Sequence, residues 1–258
     1  MESLNNIFGN KIIELDTVGS TNNYAADLRS KTIVQNGTVI LAHEQTNGRG
    51  QRDRKWHSSA GKDLTFSIIL YPGSLSAEKQ FYLSRAISLG IVDHLRSLIS
   101  ASVRIKWPND IFVDDKKIGG ILIENEIQGE DIVASVVGIG LNVGYADSQV
   151  DFIHTSLDHG AAKKTDLKKL LKGLLLCLER RYNELRTGKF HRLAHDHSNA
   201  LYLKGRWTEF SLRGKVIRAR ILDVEDDGRL IIETDSGDVI SEGHALLRHI
   251  LYGIDISG

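Results

Sequence analysis

One cysteine, one methionine and two prolines are spread through 258 residues. The lone Cys177 excludes an intrachain disulfide and fits a reducing, cytoplasmic compartment. Set among leucines, it reads as a packing thiol rather than a nucleophile. Charge of either sign is not in excess: 33 Lys and Arg stand against 33 Asp and Glu. That excludes a broad electrostatic footprint for nucleic acid, so any anion must be held by local clusters. No apolar run approaches a membrane span. From Met1 to Leu15 the chain is polar and acidic where a signal peptide carries its apolar stretch. Internal repeats and low-complexity tracts are absent too. What remains is ordinary globular material, with 41% hydrophobic and 26% charged residues, enough for one large domain with a small one attached.

Strand and helix patterns are mixed along the chain. Thr38 to Glu44, Asp63 to Tyr71 (ended by Pro72), Val103 to Lys106 and Ile111 to Val113 read as strands. So do Lys117 to Ile127 and Asp131 to Val143, with Gln128-Gly129 as a hairpin turn between them. Ser20 is placed to cap a helix running to about Ser30. Leu83, Ile87, Ile91, Leu95 and Leu98 repeat at helical spacing, as do the leucines from Leu167 to Leu185 behind Asp166. From about Tyr202 onward, turn signals at Arg213-Gly214, Asp227-Gly228 and Ser236-Gly237 recur every ten residues or so, as in a small β-barrel or sandwich. The expectation is an α+β domain built on a mixed sheet over residues 1–195, then a small all-β domain over 196–258.

The densest local signal is Gly48-Arg49-Gly50-Gln51-Arg52-Asp53-Arg54-Lys55-Trp56. It holds two glycines, four cations and a tryptophan in nine residues. Glycine permits close approach to a ligand, arginine forks match carboxylate and phosphate oxygens, and tryptophan offers a flat face. The segment reads as a loop that closes over an anion. Lys106-Trp107-Pro108-Asn109-Asp110 interrupts a strand to present Asn and Asp; an Asn-Asp hairpin turn explains it equally well. Lys117-Ile118-Gly119-Gly120 places an ammonium beside bare backbone, although a surface lysine at a strand start is the simpler account. In Gly138-Ile139-Gly140-Leu141-Asn142, glycines on alternate positions clear one face for a flat ligand; a third glycine and a following helix, needed for dinucleotide binding, are missing. For Ser20-Thr21-Asn22, helix capping is the plain explanation.

Taken in order, these clusters resemble the motifs of the biotin protein ligases: S-T-N, E-Q-x-x-G-R-G-x-x-G-R-x-W, K-W-P-N-D, K-x-G-G-I-L-x-E and G-x-G-x-N. Here they stand at Ser20–Asn22, Glu44–Trp56, Lys106–Asp110, Lys117–Glu124 and Gly138–Asn142. The resemblance spans about residues 12–145. The β-rich tail looks like the Src-homology-3-like barrel that closes bacterial members, behind a catalytic domain of the class II aminoacyl-tRNA synthetase kind.

The resemblance implies two half-reactions: biotin and MgATP give biotinyl-5′-AMP and pyrophosphate, and a lysine of a biotin carboxyl carrier domain then takes the biotin and releases AMP. Carried over by motif position, Ser20, Thr21, Asn22 and Gln45 hold biotin, an amide that donates and accepts being suited to a urea. Gly48, Arg49, Gly50 and Gln51 add loop contacts. Gly120, Gly138 and Gly140 let the bicyclic ring lie on the sheet. Arg49, Arg52, Arg54, Trp56, Lys106, Asn109 and Asn142 fall to ATP and the adenylate. Lys117 sits where biotin carboxylate meets α-phosphate, and Lys117, Arg49 and Asp110 form the catalytic set. Asp110 is the implied Mg²⁺ ligand. Two positions depart from the pattern: Gln51 stands where the family often has arginine, and Asp53 where it has glycine. Arg52 or Arg54 is then expected to supply the missing charge.

Lipoate ligases share this logic, but the Ser-Thr pair and Gln45 favour a ureido ring. A repressor needs an N-terminal helix-turn-helix domain. Only about 19 residues precede the first motif, and with no net basic charge DNA binding is not expected. Family members pair through sheet edges, which leaves a homodimer open. His191, His195 and His197 have ligand-like spacing without an assured acidic or cysteine partner, and read as a solvated helix end rather than a zinc site.

Overall fold

The computed structural model describes residues 7–52, 54–73, 75–144, 154–159, 164–251 and 254–255. Its elements are β1 (Ile12–Val18), α1 (Thr21–Lys31), β2 (Thr38–Gln45), β3 (Leu64–Leu70), α2 (Phe81–Leu98), β4 (Val103–Lys106), β5 (Asp110–Val113), β6 (Lys116–Gln128), β7 (Asp131–Leu141), α3 (Leu167–Arg186), α4 (Phe190–Ala200), β8 (Trp207–Leu212), β9 (Lys215–Val224), β10 (Leu230–Thr234), β11 (Val239–Glu242), β12 (Leu247–Leu251) and β13 (Ile254–Asp255). The first seven strands form one sheet in the order β1-β2-β3-β7-β6-β5-β4. The β1–β2 pair is parallel and the rest antiparallel, so the sheet is mixed.

Side-chain alternation along the central strands sorts the sheet into two faces. Leu64, Phe66, Ile68 and Leu70 of β3 and Val137, Ile139 and Leu141 of β7 point into the main core. There they meet Leu83, Ile87 and Ile91 of α2 and Leu174, Leu178 and Tyr182 of α3. The intervening residues face the other way. Ile69, Val136 and Ile40 pack under Ala25 of α1, leaving Thr65, Ser67, Gly138 and Gly140 along the rest of that face. Register aligns Thr65, Gly140 and Gly120 in one row across β3, β7 and β6, and Ser67, Gly138 and Leu122 in the next.

The remaining strands form a six-stranded antiparallel sheet, β11-β10-β9-β8-β12-β13, consistent with a Src-homology-3-like barrel. Its core of Phe210, Ile221, Leu230, Ile232 and Leu247 also takes in Trp107 from the β4–β5 turn. Trp107 Nε1 donates to Gly228 O at 2.8 Å. Arg85 of α2, only 2% exposed, donates to Val224 O (2.8 Å) and Glu225 O (2.9 Å) and pairs with Asp226 (3.0 Å). The Asp226-Asp227-Gly228 turn is therefore an anchor as well as a reversal.

Three features differ from the reading of the chain. The sequence does not announce β1. It is an edge strand whose residues are exposed or half-buried throughout, so no buried apolar run marks it. Cys177 is half-buried, its thiol pushed up chiefly by burial, rather than enclosed. The His-rich stretch is a full helix, α4, with Leu193 in the main core. His197 is buried edge-on to Phe81 while His191 and His195 are exposed, so the three rings do not share a face.

Candidate active site

The glycine rows floor a cavity of about 360 Å³, within the range for small-ligand sites. α1 begins at its rim. Ser20 is N-cap by position, but its side chain makes no capping bond. Instead Gln45, at the end of β2, accepts from Thr21 N at 2.8 Å, with Thr21 Oγ1 lying 3.1 Å from the same oxygen. Because a backbone N–H can only donate, the Gln45 oxygen is committed to the helix and its Nε2 remains as a donor. Capping therefore does not account for Ser20, which lines the cavity with Thr21 and Asn22.

Lys117 and Asp110 form an ion pair at 2.7 Å, their side chains only 13% and 10% exposed. The β5–β6 ladder pairs Asp110 with Gly120 and thereby brings the carboxylate to the start of β6. The Lys106–Asp110 segment is indeed a hairpin turn, with Lys106 paired to Asp110 and a cis Trp107–Pro108 bond, yet it also delivers Asn109 and Asp110 to the cavity. Asn109 clasps β6 from both ends: its Nδ2 donates to Ile121 O (2.7 Å) and its carbonyl accepts from Ile121 N (3.0 Å).

The indole of Trp56 lies over the floor. A Cβ added to Gly140 would fall 2.2 Å from Trp56 Cε2, and one on Gly120 would fall 3.2 Å from Cζ3. The flat group against the bare backbone is thus the protein's own. Trp56 Nε1 is buried with no hydrogen-bond partner among the described residues, and Lys117 Nζ stands 5.8 Å from the ring centre. Arg49 pairs with Glu124 at 2.8 Å.

Of the residues singled out in the sequence, Ser20, Thr21, Asn22, Gln45, Arg49, Gly50, Gln51, Arg54, Trp56, Asn109, Asp110, Lys117, Gly120, Gly138, Gly140 and Asn142 all line this one cavity. Gly48, Arg52 and Lys106 do not. Gly48 is packed so closely that a Cβ would meet Trp56 O at 2.4 Å. Arg52 takes a left-handed φ of 52° and donates to His244 O at 3.2 Å, reaching toward the small sheet. Lys106 is buried near the Phe112 ring. Asp53 lies outside the described residues.

Sequence reasoning missed three contributors. Residues 154–159 return beside β6, where Thr155 N donates to Lys117 O at 2.8 Å and Asn142 Nδ2 to Thr155 O at 3.1 Å; His154, Thr155, Ser156 and His159 join the wall. Asp63 accepts from Ser59 N (2.8 Å) and Val143 N (2.9 Å), and its carboxyl is raised mainly by burial. Ser67 is fully buried beneath Thr21 and Asn22. Each belongs to a long-range contact with no local pattern to announce it. Among the described residues no group of three or more His, Cys, Asp or Glu side chains is arranged for a metal. Asp110 is a single carboxylate, which suits an Mg²⁺ that keeps its waters and arrives on phosphate oxygens.

Comparison with known proteins agrees with this geometry. Residues 15–142 match the biotin/lipoate A/B protein ligase family, and residues 205–255 match the biotin protein ligase C-terminal domain. Over 246 residues the chain is 31% identical to the bifunctional ligase/repressor BirA of Bacillus subtilis, covering 90% of this chain and 72% of that protein. The chain belongs to the biotin/lipoate A/B protein ligase family. Another family member, the biotin–[acetyl-CoA-carboxylase] ligase of Mycobacterium tuberculosis, is 29% identical over 233 residues, or 88% of this chain and 86% of that one. Among solved structures, the biotin protein ligase of Aquifex aeolicus in complex with biotin and ATP superposes with a TM-score of 0.76 at 26% identity, covering 93% of this chain and all of that one.

Proposed function

We propose that this protein is a biotin protein ligase. It condenses biotin with MgATP to biotinyl-5′-AMP and transfers the biotin to a lysine of a biotin carboxyl carrier domain. The observation that carries the reading is the convergence of five separated motifs on one glycine-floored cavity, with the Lys117–Asp110 pair at its wall.

In the first half-reaction a biotin carboxylate oxygen bonds to the α-phosphorus and the bond to the departing pyrophosphate breaks. Two anions must meet, so positioning and charge neutralisation supply most of the rate. Lys117 would bridge the two, and Arg49 and Arg54 would add positive charge; all three line the cavity. Gln45 Nε2 donates to the ureido carbonyl, with Thr21 and Ser20 beside it. Asp110 would hold Mg²⁺, which when bound offsets charge on the phosphate oxygens. In the second half-reaction the carrier amine attacks the biotinyl carbonyl; the C–N bond forms, the C–O bond to AMP breaks, and the amine gives up a proton. Division of labour follows the two sheets: the seven-stranded sheet and its helices through α4 would carry this chemistry and the small sheet would close the unit beside the Lys106–Asp110 turn, so the expected division after residue 195, which would cut α4, moves past Ala200. Operator binding is not part of the reading, because charge is balanced.

The test is mass spectrometry after incubation with biotin and MgATP, first alone and then with a carrier domain. Adenylate and then a biotinylated lysine are expected; absence of both overturns the assignment. Since the family includes lipoate ligases, pyrophosphate exchange with each acid separates the substrates, biotin being expected to win. Sequence-specific retardation of a DNA fragment would contradict the last point.

A further inference from the structure

β3 looks like a plain buried strand, all seven residues being enclosed. Ser67 in its middle is a polar group with 0% exposure. Its Oγ lies 2.7 Å from Thr21 Oγ1 and 2.7 Å from Asn22 Oδ1. A hydroxyl has one proton, so it cannot donate to both. Asn22 Oδ1 can only accept, whereas Thr21 Oγ1 can also donate. Gln45 Oε1 is already served by Thr21 N. The arrangement that leaves no buried acceptor orphaned has Ser67 donating to Asn22 and receiving from Thr21. Asn22 is then held at both ends, since its Nδ2 donates to Glu124 Oε2 at 2.7 Å. Gly138 makes room for this: a Cβ there would fall 2.2 Å from Asn22 Oδ1.

Glu124 in turn takes Arg49 in a two-toothed grip, at 2.8 Å to Oε1 and 3.2 Å to Oε2, while Arg49 also donates to Asn23 Oδ1 at 2.7 Å. A free arginine samples many rotamers. Here the guanidinium is placed before any substrate arrives, which lowers the ordering cost of binding an anion. Arg49 and Glu124 are 41% and 37% exposed, so solvent softens the pair and leaves it exchangeable. We propose that Glu124 is a positioning residue for the activation step, held through Asn22 by buried Ser67, and that this chain of contacts sets the Arg49 guanidinium at the cavity wall. Its link to catalysis rests on the proposed biotin and ATP chemistry; the contact chain itself does not.

Two measurements on the full chain test it, using Glu124→Gln, Ser67→Ala and Ser67→Thr. The first is the initial rate of tryptic cleavage after Arg49 without substrates, with cleavage after Arg206 as an internal reference. Losing a charged partner is worth about a factor of ten. Glu124→Gln and Ser67→Ala are expected to speed Arg49 cleavage by about that factor and leave Arg206 unchanged, with Ser67→Thr near the original. The second is pyrophosphate exchange, in which kcat/KM for biotin should fall about tenfold in the same two variants and recover in Ser67→Thr. Unchanged cleavage at Arg49, or tighter biotin use by Glu124→Gln, overturns the proposal; the latter would make Glu124 a competitor for Arg49. Exchange absent from the unaltered protein would strike the proposed function, while the cleavage comparison would still judge the contact chain.

Discussion

Replacing Gly140 by alanine tests the cavity floor directly. The new Cβ would sit 2.2 Å from Trp56 Cε2, 2.5 Å from Cζ2 and 2.6 Å from Nε1. Comfortable carbon–carbon separation is about 3.5–4.0 Å, so the indole must withdraw by about 1 Å or more. A retreat of that size forfeits roughly a quarter to a half of each dispersion contact on the ring's lower face. Inserting a methyl into a packed site costs about 1–3 kcal/mol. Trp56 is half-buried on a loop rather than locked between sheet and helices. It can therefore swing aside, and the expected loss of stability is at the low end, about 1 kcal/mol. The larger effect should fall on the ligand, because the displaced indole is itself part of the cavity lining and its retreat reshapes the space a substrate would fill. Three readings are needed: denaturant midpoint, tryptophan emission and calorimetric biotin titration. A lower midpoint at unchanged slope, red-shifted emission and at least a tenfold weaker biotin affinity are expected. Gly243→Ala serves as control, since nothing lies within 4 Å of its added Cβ. Unchanged emission together with unchanged biotin affinity would refute the reasoning about the floor.

Other outcomes follow from the same geometry. Arg54 lines the cavity while Arg52 is engaged with His244 O; Arg54→Ala should therefore speed adenylate release more than Arg52→Ala, and equal, unchanged release in both would remove the idea that either makes up for Gln51. His197 and His249, 1% and 6% exposed, are both held at about 3 by burial, foremost among the causes. The unfolded chain protonates near 6.5, so stability is full above that value and falls as pH drops toward 3. At pH 5 each histidine should have cost about 2 kcal/mol, and urea midpoints that stay flat from pH 7 to 5 would contradict it. Arg85→Met removes two bonds to buried carbonyls and the Asp226 pair. A loss of about 2–4 kcal/mol is expected, with faster proteolysis near Lys204 and Arg206. A denaturation curve matching the unaltered protein would show that Arg85 is not the anchor.

How far the chain could be read depended on the range of the interaction. Leu83 to Leu98 and Leu167 to Leu185 carry helical spacing because their partners repeat along one face, and α2 and α3 fall within a residue or two of those bounds. Asp166 caps α3 through its neighbours Lys168 N and Lys169 N, a bond local enough to see in a string of letters. β1 was hidden because an edge strand needs only one neighbour and buries little. α4 was hidden because its buried residues, Leu193, His197, Ser198 and Ala200, include polar types.

For the site, the sequence by itself determined which chemical groups are present and in what order: the cation-rich loop, the lysine before a glycine pair, the alternating glycines. It also determined that Gly138 and Gly140 share a face, since period two allows nothing else. Only the tertiary structure decided what those groups do to one another. It turned Gln45 into the cap of α1 and freed Ser20 for the cavity, paired Lys117 with Asp110, laid Trp56 on Gly140, and put a buried serine behind Asn22. The reason is distance along the chain. Hydrogen bonds between residues 45 to 102 positions apart, such as Ser67 to Asn22 and Asn22 to Glu124, leave no periodicity behind. They exist because strand register brings their rows together and burial then requires every polar atom to find a partner.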